Sequence, residues 1–161
     1  MAFKGIWLLT AIATTTTTAF ANDCGFNQAI LGIENEIQAN AGCIVIRDSK
    51  LLVIQSPTQK ISIPGGSAHK GETAACTAIR ETQEETGLEV TPTKLAKIWK
   101  NGFYIFECDT TSRKTKRSIR QAIEVHAIHW ITTEEFDSYR WRYEGQKNWL
   151  KSYLNSKSLE Q

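Results

Sequence analysis

Residues 66–88 read GSAHKGETAACTAIRETQEETGL, and this stretch decides what kind of chain it belongs to. Thr73 is a fair helix N-cap, Ala74, Ala75 and Ala78 favour helix, and Gly87 suits the left-handed residue that closes a C-terminus. Within that helix Glu81, Glu84 and Glu85 stand at i, i+3 and i+4 and share one face, while Cys76 and Ile79 point the other way. Like charges at this spacing weaken a helix by roughly 0.2–0.5 kcal/mol per pair. Carboxylates that converge this way have two inexpensive fates. They spread into water as an ordinary solvated face, or they share a hard cation such as Mg²⁺ or Mn²⁺, which prefers oxygen ligands. The approach to the helix favours the cation. Pro64-Gly65-Gly66 lets a backbone carbonyl come close to it, and Arg80, beside Glu81 and four residues before Glu84, is placed to orient a carboxylate.

Working outward, the flanks supply sheet. Residues 42–47 (GCIVIR) and 51–54 (LLVI) are β-branched and aliphatic runs separated by Asp48-Ser49-Lys50, which predicts a hairpin. Ile61-Ser62-Ile63 alternates and ends in a loop at Pro64-Gly65-Gly66. Residues 94–100 and 103–108 flank Asn101-Gly102, the strongest short hairpin signal. Residues 121–131 (QAIEVHAIHWI) begin as an alternating strand, and Thr132 with Glu135 forms a capping-box pattern that opens a further helix. Trp149, Leu150, Tyr153 and Leu154 mark the apolar side of a last helix. The order hairpin, strand, loop, helix, hairpin, strand, helix makes a mixed α/β fold in one domain.

A chain of 161 residues suits one domain whose core needs neither metal nor disulfide support. A formal charge of +2 does not argue for nucleic acid, and no nucleic-acid partner is expected. The first residues differ from the rest: MAFK is positive, GIWLLTAIA is apolar, and TTTTTAFA ends at Ala19-Phe20-Ala21. That is the order of a secretory signal peptide, and its apolar run is too short to span a bilayer alone. Residues 1–21 are therefore expected to be a cleaved leader and the protein periplasmic or secreted, with an uncleaved anchor as the alternative. Residues 22–40 form an N-terminal segment, 41–155 the folded domain and 156–161 a frayed tail. Cys24, Cys43, Cys76 and Cys108 survive the cut. They permit two disulfides in any of three pairings, buried free thiols being the alternative, and their spacing matches no zinc knuckle.

The stretch 66–88 resembles the Nudix box, G-x5-E-x7-R-E-U-x-E-E-x-G-U with U aliphatic. Gly66, Glu72, Arg80, Glu81, Glu84, Glu85, Gly87 and Leu88 all match. At roughly 5–7% background frequency each, the seven invariant positions would coincide by chance about once in 10⁸ starting points. The departure is Thr82, where the family usually carries an aliphatic residue; its β-branched shape implies a small packing cost and intact chemistry. The resemblance implies a Nudix fold, an α/β/α sandwich with a mixed β-sheet, and a hydrolase that cleaves a diphosphate linkage in a small molecule with Mg²⁺ or Mn²⁺. By the box's own positions, Glu84 and Glu85 would hold the metal with Glu81 as ligand or base, Gly65 would offer its carbonyl, Arg80 would orient a glutamate, and Glu72 would support the loop or a further metal. Other members use one more acidic residue outside the box. Glu124 is the best candidate here, its alternative being an ordinary strand position, and Glu107 is a weaker one. A Nudix-fold module that binds nucleotide or partner without catalysis is the rival reading, although such members usually lose a box carboxylate and this chain keeps them all.

Arg113, Lys114, Lys116, Arg117 and Arg120 make a basic run before Glu124. Residues 113–120 offer a grip for a second phosphate or an envelope lipid surface, or simply a solvated loop. His69 and Lys70 lie in the variable part of the box, and His126 and His129 read as strand residues. The proline that marks one substrate subfamily is absent, since Phe103 stands at its place, fifteen residues after Leu88. Trp99, Phe103, Tyr104 and Trp141 are candidates for a nucleobase pocket or for core packing.

Overall fold

The structure, a computed structural model, describes residues 24–33, 37–111 and 125–158. The expected leader, the basic run and Glu124 lie outside the described residues. In chain order the elements are β1 (Ala41–Ile44), β2 (Ile46–Arg47), β3 (Lys50–Gln55), β4 (Ile61–Ser62), β5 (Gly65–Gly66), α1 (Ala74–Thr86), β6 (Thr91–Ile98), β7 (Tyr104–Asp109), β8 (Ala127–Ile131) and α2 (Glu144–Ser158). Short 3₁₀ turns occupy Gln28–Leu31 and Thr133–Ser138.

One sheet runs β5-β1-β7-β6, with β1 and β7 parallel and the outer pairs antiparallel. The other is built on β3, which pairs antiparallel with β2, β4 and β8. The central strands are buried on both faces, which is why they read as unbroken apolar runs. Cys43 and Phe106 face a core shared with Ala74, Ala75 and Ala78 of α1. Ile44 and Ile105 face a second core with Ile63, Trp141 and Leu150. Three alanines on the inner side of α1 leave room for the helix to sit close on the sheet. The result is the expected mixed-sheet α/β sandwich.

Local chemistry explains most boundaries. Thr73 Oγ1 accepts a hydrogen bond from Cys76 N at 3.3 Å, and Gly87 closes α1 in the left-handed region. Asp48 and Ser49 both have positive φ, 49° and 59°, as a two-residue turn matched to strand twist requires. At the second hairpin Asn101 Oδ1 accepts from Phe103 N. Three expectations are corrected. The run 42–47 is not one strand: β1 ends at Ile44 and β2 begins at Ile46 in the other sheet, and the exposure of Ile46 (44%) marks where burial on both faces stops. Gly65–Gly66 is not loop but a short strand paired with Ala41 and Gly42. Glu135 does accept from Thr132 N at 2.8 Å, yet the turn it opens is a six-residue 3₁₀ stretch, ended by extended Tyr139. Helix α2 runs through Ser158.

The cysteines pair as Cys24–Cys76 and Cys43–Cys108. The first ties the N-terminal segment to the buried side of α1, and the second joins β1 to β7. Bonds of this kind typically contribute about 2–4 kcal/mol each.

Candidate active site

Three glycines set the site by allowing backbones to touch. A Cβ on Gly42 would lie 2.4 Å from Pro64 O, and one on Gly65 would lie 2.6 Å from Ala41 O. A Cβ on Gly66 would fall 2.5 Å from the Glu81 carboxyl carbon. Side chains are therefore excluded where β5 crosses β1, and the carboxylate of α1 packs directly on the loop backbone.

Arg80 is the hub. Its Nε and Nη2 donate to Glu72 at 2.8 and 2.9 Å, Nη1 donates to Glu81 at 2.9 Å and Glu84 at 3.3 Å, and Nη2 also reaches Ser67 O at 2.8 Å. Only the planar guanidinium fork can serve so many acceptors in fixed directions. Glu72, with a side chain 4% exposed, accepts further bonds from His69 N and Thr77 Oγ1. Burial opposes its ionisation, but the Arg80 bonds and the His69 N–H outweigh that and hold its carboxyl below the usual range. Glu72 is thus the support of the loop. Glu81 goes the other way: burial pushes its carboxyl up, Arg80 offsets only part, and Glu84 and Glu72 add to the push. Glu85 Oε2 accepts from Gly65 N at 2.8 Å.

The helix thus brings Glu81, Glu84 and Glu85 to one end of the loop, as its periodicity predicts, but their carboxylates are shared out. Two rest on Arg80 and the third on the Gly65 N–H. Among the described residues, no three acidic, histidine or cysteine side chains are gathered as a finished metal shell. The donor chemistry nevertheless fits a hard divalent cation. All the groups are oxygen donors, carboxylates exceed the single guanidinium, and Glu81 carries a burial cost that a cation would relieve. Glu81, Glu84 and Glu85 would hold it.

Sequence reasoning missed the clamp on this loop. Asn40 Oδ1 accepts from Ala68 N and Gln38 Oε1 from Gly71 N, each at 3.0 Å, while Ala74 N donates to Ile37 O. Amides at 38 and 40 carry no local signal, because their partners lie 33 and 28 residues away. Of the remaining candidates, Glu107 is elsewhere, bonded by Tyr153 and Lys157, and His129 meets Gln55 across the second sheet. Tyr104 and Trp141 are core residues, with Trp141 Nε1 donating to Phe136 O. Trp99 and Phe103 instead line a cavity between the β6–β7 hairpin and the start of α2.

The NUDIX domain family matches residues 36–153, the greater part of the chain. The chain belongs to the Nudix family. A search of curated proteins finds no match in sequence. Among solved structures, a Nudix hydrolase from Nitrosomonas europaea has a TM-score of 0.63 at 20% identity, covering 79% of this chain and 76% of that one. An ADP-ribose pyrophosphatase from Streptococcus suis has a TM-score of 0.59 at 16% identity, covering 71% and 89%. A UDP-X diphosphatase has a TM-score of 0.61 at 13% identity, covering 74% of this chain; the Nudix chain described here spans 63% of that protein. Likeness at these identities concerns the shared Nudix fold.

Proposed function

We propose that this Nudix protein is a divalent-cation-dependent hydrolase that cleaves a diphosphate linkage in a nucleoside diphosphate derivative or a similar X-diphosphate. The observation that carries the reading is the Arg80 hub: one guanidinium orients Glu72, Glu81 and Glu84 beside a short strand whose Gly66 leaves no space for a side chain. A merely solvated acidic face has no use for that construction. When bound, Mg²⁺ or Mn²⁺ supplies neutralisation of charge on the diphosphate oxygens. Glu81, its carboxyl pushed up by burial, takes the proton of the water that attacks phosphorus as the bridging P–O bond breaks. Arg80 holds Glu81 and Glu84 in place, and Glu72 with Asn40 and Gln38 keeps the loop from moving away.

Two of the structural neighbours are named for UDP-X and ADP-ribose, which sets the centre of a substrate panel. Purified protein is given nucleotide sugars, ADP-ribose, dinucleoside polyphosphates, nucleoside triphosphates and prenyl diphosphates with Mg²⁺ or Mn²⁺. Glu85→Gln is expected to lose cation-dependent product release by at least about 10²-fold while remaining folded. A wild type inert on the whole panel, with the variant binding ligand equally well, would make this a silent binding module. Export is part of the same reading, and two disulfides suit an oxidising compartment. Intact-mass measurement of protein taken from the native cell tests it: cleavage after Ala21 and no free thiol is expected, and a retained leader would refute it.

A further inference from the structure

A cavity of about 520 Å³ opens between the β6–β7 hairpin and the start of α2, within the roughly 300–1,000 Å³ that ligand sites usually occupy. Trp99, Phe103 and Tyr143 line it together with Lys97, Gly145 and Gln146. Its lining meets the chain leading into the box at two points. The position a Gly42 Cβ would take lies 3.3 Å from Phe103 Cζ and 2.4 Å from Pro64 O, so ring and loop flank the same spot. Gln146 Oε1 accepts a hydrogen bond from Ile63 N at 3.2 Å, two residues before Gly65. Lys97 Nζ sits 4.9 Å from the centre of the Trp99 ring, which puts a positive charge among the aromatic walls.

Gln146 is the unusual member. It is only 7% exposed, yet it lines the cavity. Its orientation is dictated by chemistry: the Ile63 N–H is a donor, so the amide atom facing it must be oxygen. That leaves the NH₂ as the amide's remaining polar group, and it is a donor. The cavity thus holds aromatic surfaces for a flat ring and one anchored amide that can only donate.

We propose that Gln146 is a specificity-determining residue that donates to a carbonyl on the edge of a planar base seated in this cavity. The chemical class favoured is a base with a keto oxygen at that edge, such as uracil, guanine or hypoxanthine. Cytosine and adenine present an exocyclic amine at the corresponding place, donor against donor. A buried donor left facing another donor discriminates far more strongly than a change of size in an apolar pocket. The inference rests on the diphosphate-hydrolase reading for its substrate, but the binding geometry can be tested without turnover.

Gln146→Glu keeps an oxygen for Ile63 N–H and replaces the amide's remaining donor by an acceptor. Equilibrium binding of UMP and CMP is followed by tryptophan fluorescence, alongside kcat/KM for UDP- and CDP-linked substrates. The wild type is expected to favour the uracil ligand by at least about tenfold, and Gln146→Glu to reverse that order. Equal affinities in both proteins, or a ratio that Gln146→Glu leaves unchanged, overturn the proposal even if hydrolysis is robust. Discrimination in binding with no hydrolysis at all would sink the enzyme reading and leave the base site standing. Should Gln146→Glu fail to fold, Gly145→Val serves, since a Cβ there meets nothing within 4 Å. It is expected to weaken UMP binding at least about tenfold by occupying the cavity, and unchanged affinity would rule the cavity out.

Discussion

At Arg80 one guanidinium serves several carboxylates; at Glu107 one carboxylate is served by two ammonium groups and a phenol. Both clusters are part-buried, but the contacts of Arg80 stay within residues 67–84, whereas Tyr153 and Lys157 lie 46 and 50 residues from Glu107. Glu107 is bonded by Tyr153 and Lys157, with Lys94 at 3.8 Å, and although burial works against it, these partners hold its carboxyl below the usual range. Around Arg80 the balance is the reverse, and Glu81 is pushed up. A cluster in which cations exceed anions around a single carboxylate is complete, and it fastens α2 to β7. A cluster with excess carboxylate carries a cost that a bound cation would remove. The two clusters thus differ in charge balance more than in burial.

The sharpest way to break this contrast is to alter each hub conservatively. Arg80→Lys replaces a five-contact fork with a point charge. It should lower cation-dependent kcat/KM by about 10²-fold or more and destabilise the fold by about 2 kcal/mol, as charged hydrogen bonds of this kind are worth. Glu107→Gln should leave turnover within about twofold while costing about 1 kcal/mol in denaturant unfolding. If both variants lost activity equally, the two clusters would not differ in kind.

Acid separates them more gently. With chelator present, Glu107, whose folded pKa lies below 4.5, contributes stability that is complete above 4.5 and drains away as pH falls through the lowered value. The stability gap between wild type and Glu107→Gln should therefore narrow below pH 4.5. Glu81, raised above 4.5, does the opposite: stability falls as pH climbs from 4.5 through its folded value, because the folded state holds the proton longer. Wild type should gain on Glu81→Gln as the pH is lowered toward 4.5. Parallel curves for the two variants in urea titrations would contradict the opposite charge balances.

How much of this was legible in sequence follows the reach of the interactions. Thr73, Gly87 and the Asn101-Gly102 turn act within a few residues, so α1 and the second hairpin stand where the pattern puts them. The box residues were legible because their spacing is itself the chemistry. Long-range partners were not. The clamp from Gln38 and Asn40 depends on β1 passing the box loop, and the disulfide pairing depends on β1 lying beside β7 and on the N-terminal segment lying against α1. The break at Val45 was hidden because a chain that changes sheets within the core stays apolar throughout. Gln146 was invisible for the same reason, its anchor lying 83 residues away.

The smallest expected effect tests the one place where the box departs from its pattern. Thr82 is fully buried on the inner side of α1, away from Arg80, and its Oγ1 has no hydrogen-bond partner among the described residues. The sequence suggested only a slight packing cost, but a buried hydroxyl without a partner costs about 1 kcal/mol or more. Thr86, one turn later and equally buried, differs: its hydroxyl donates to Thr82 O at 2.6 Å and accepts from Leu88 N at 3.2 Å. Thr82→Val, which keeps the shape and removes the orphan, should raise stability by about 1 kcal/mol, roughly 2–4 °C in Tm for a chain of this size, without changing turnover. Thr86→Val should lose about as much. Should both valines stabilise, hydrogen bonding on this face would count for less than packing, and the family's aliphatic preference at position 82 would be a matter of volume alone.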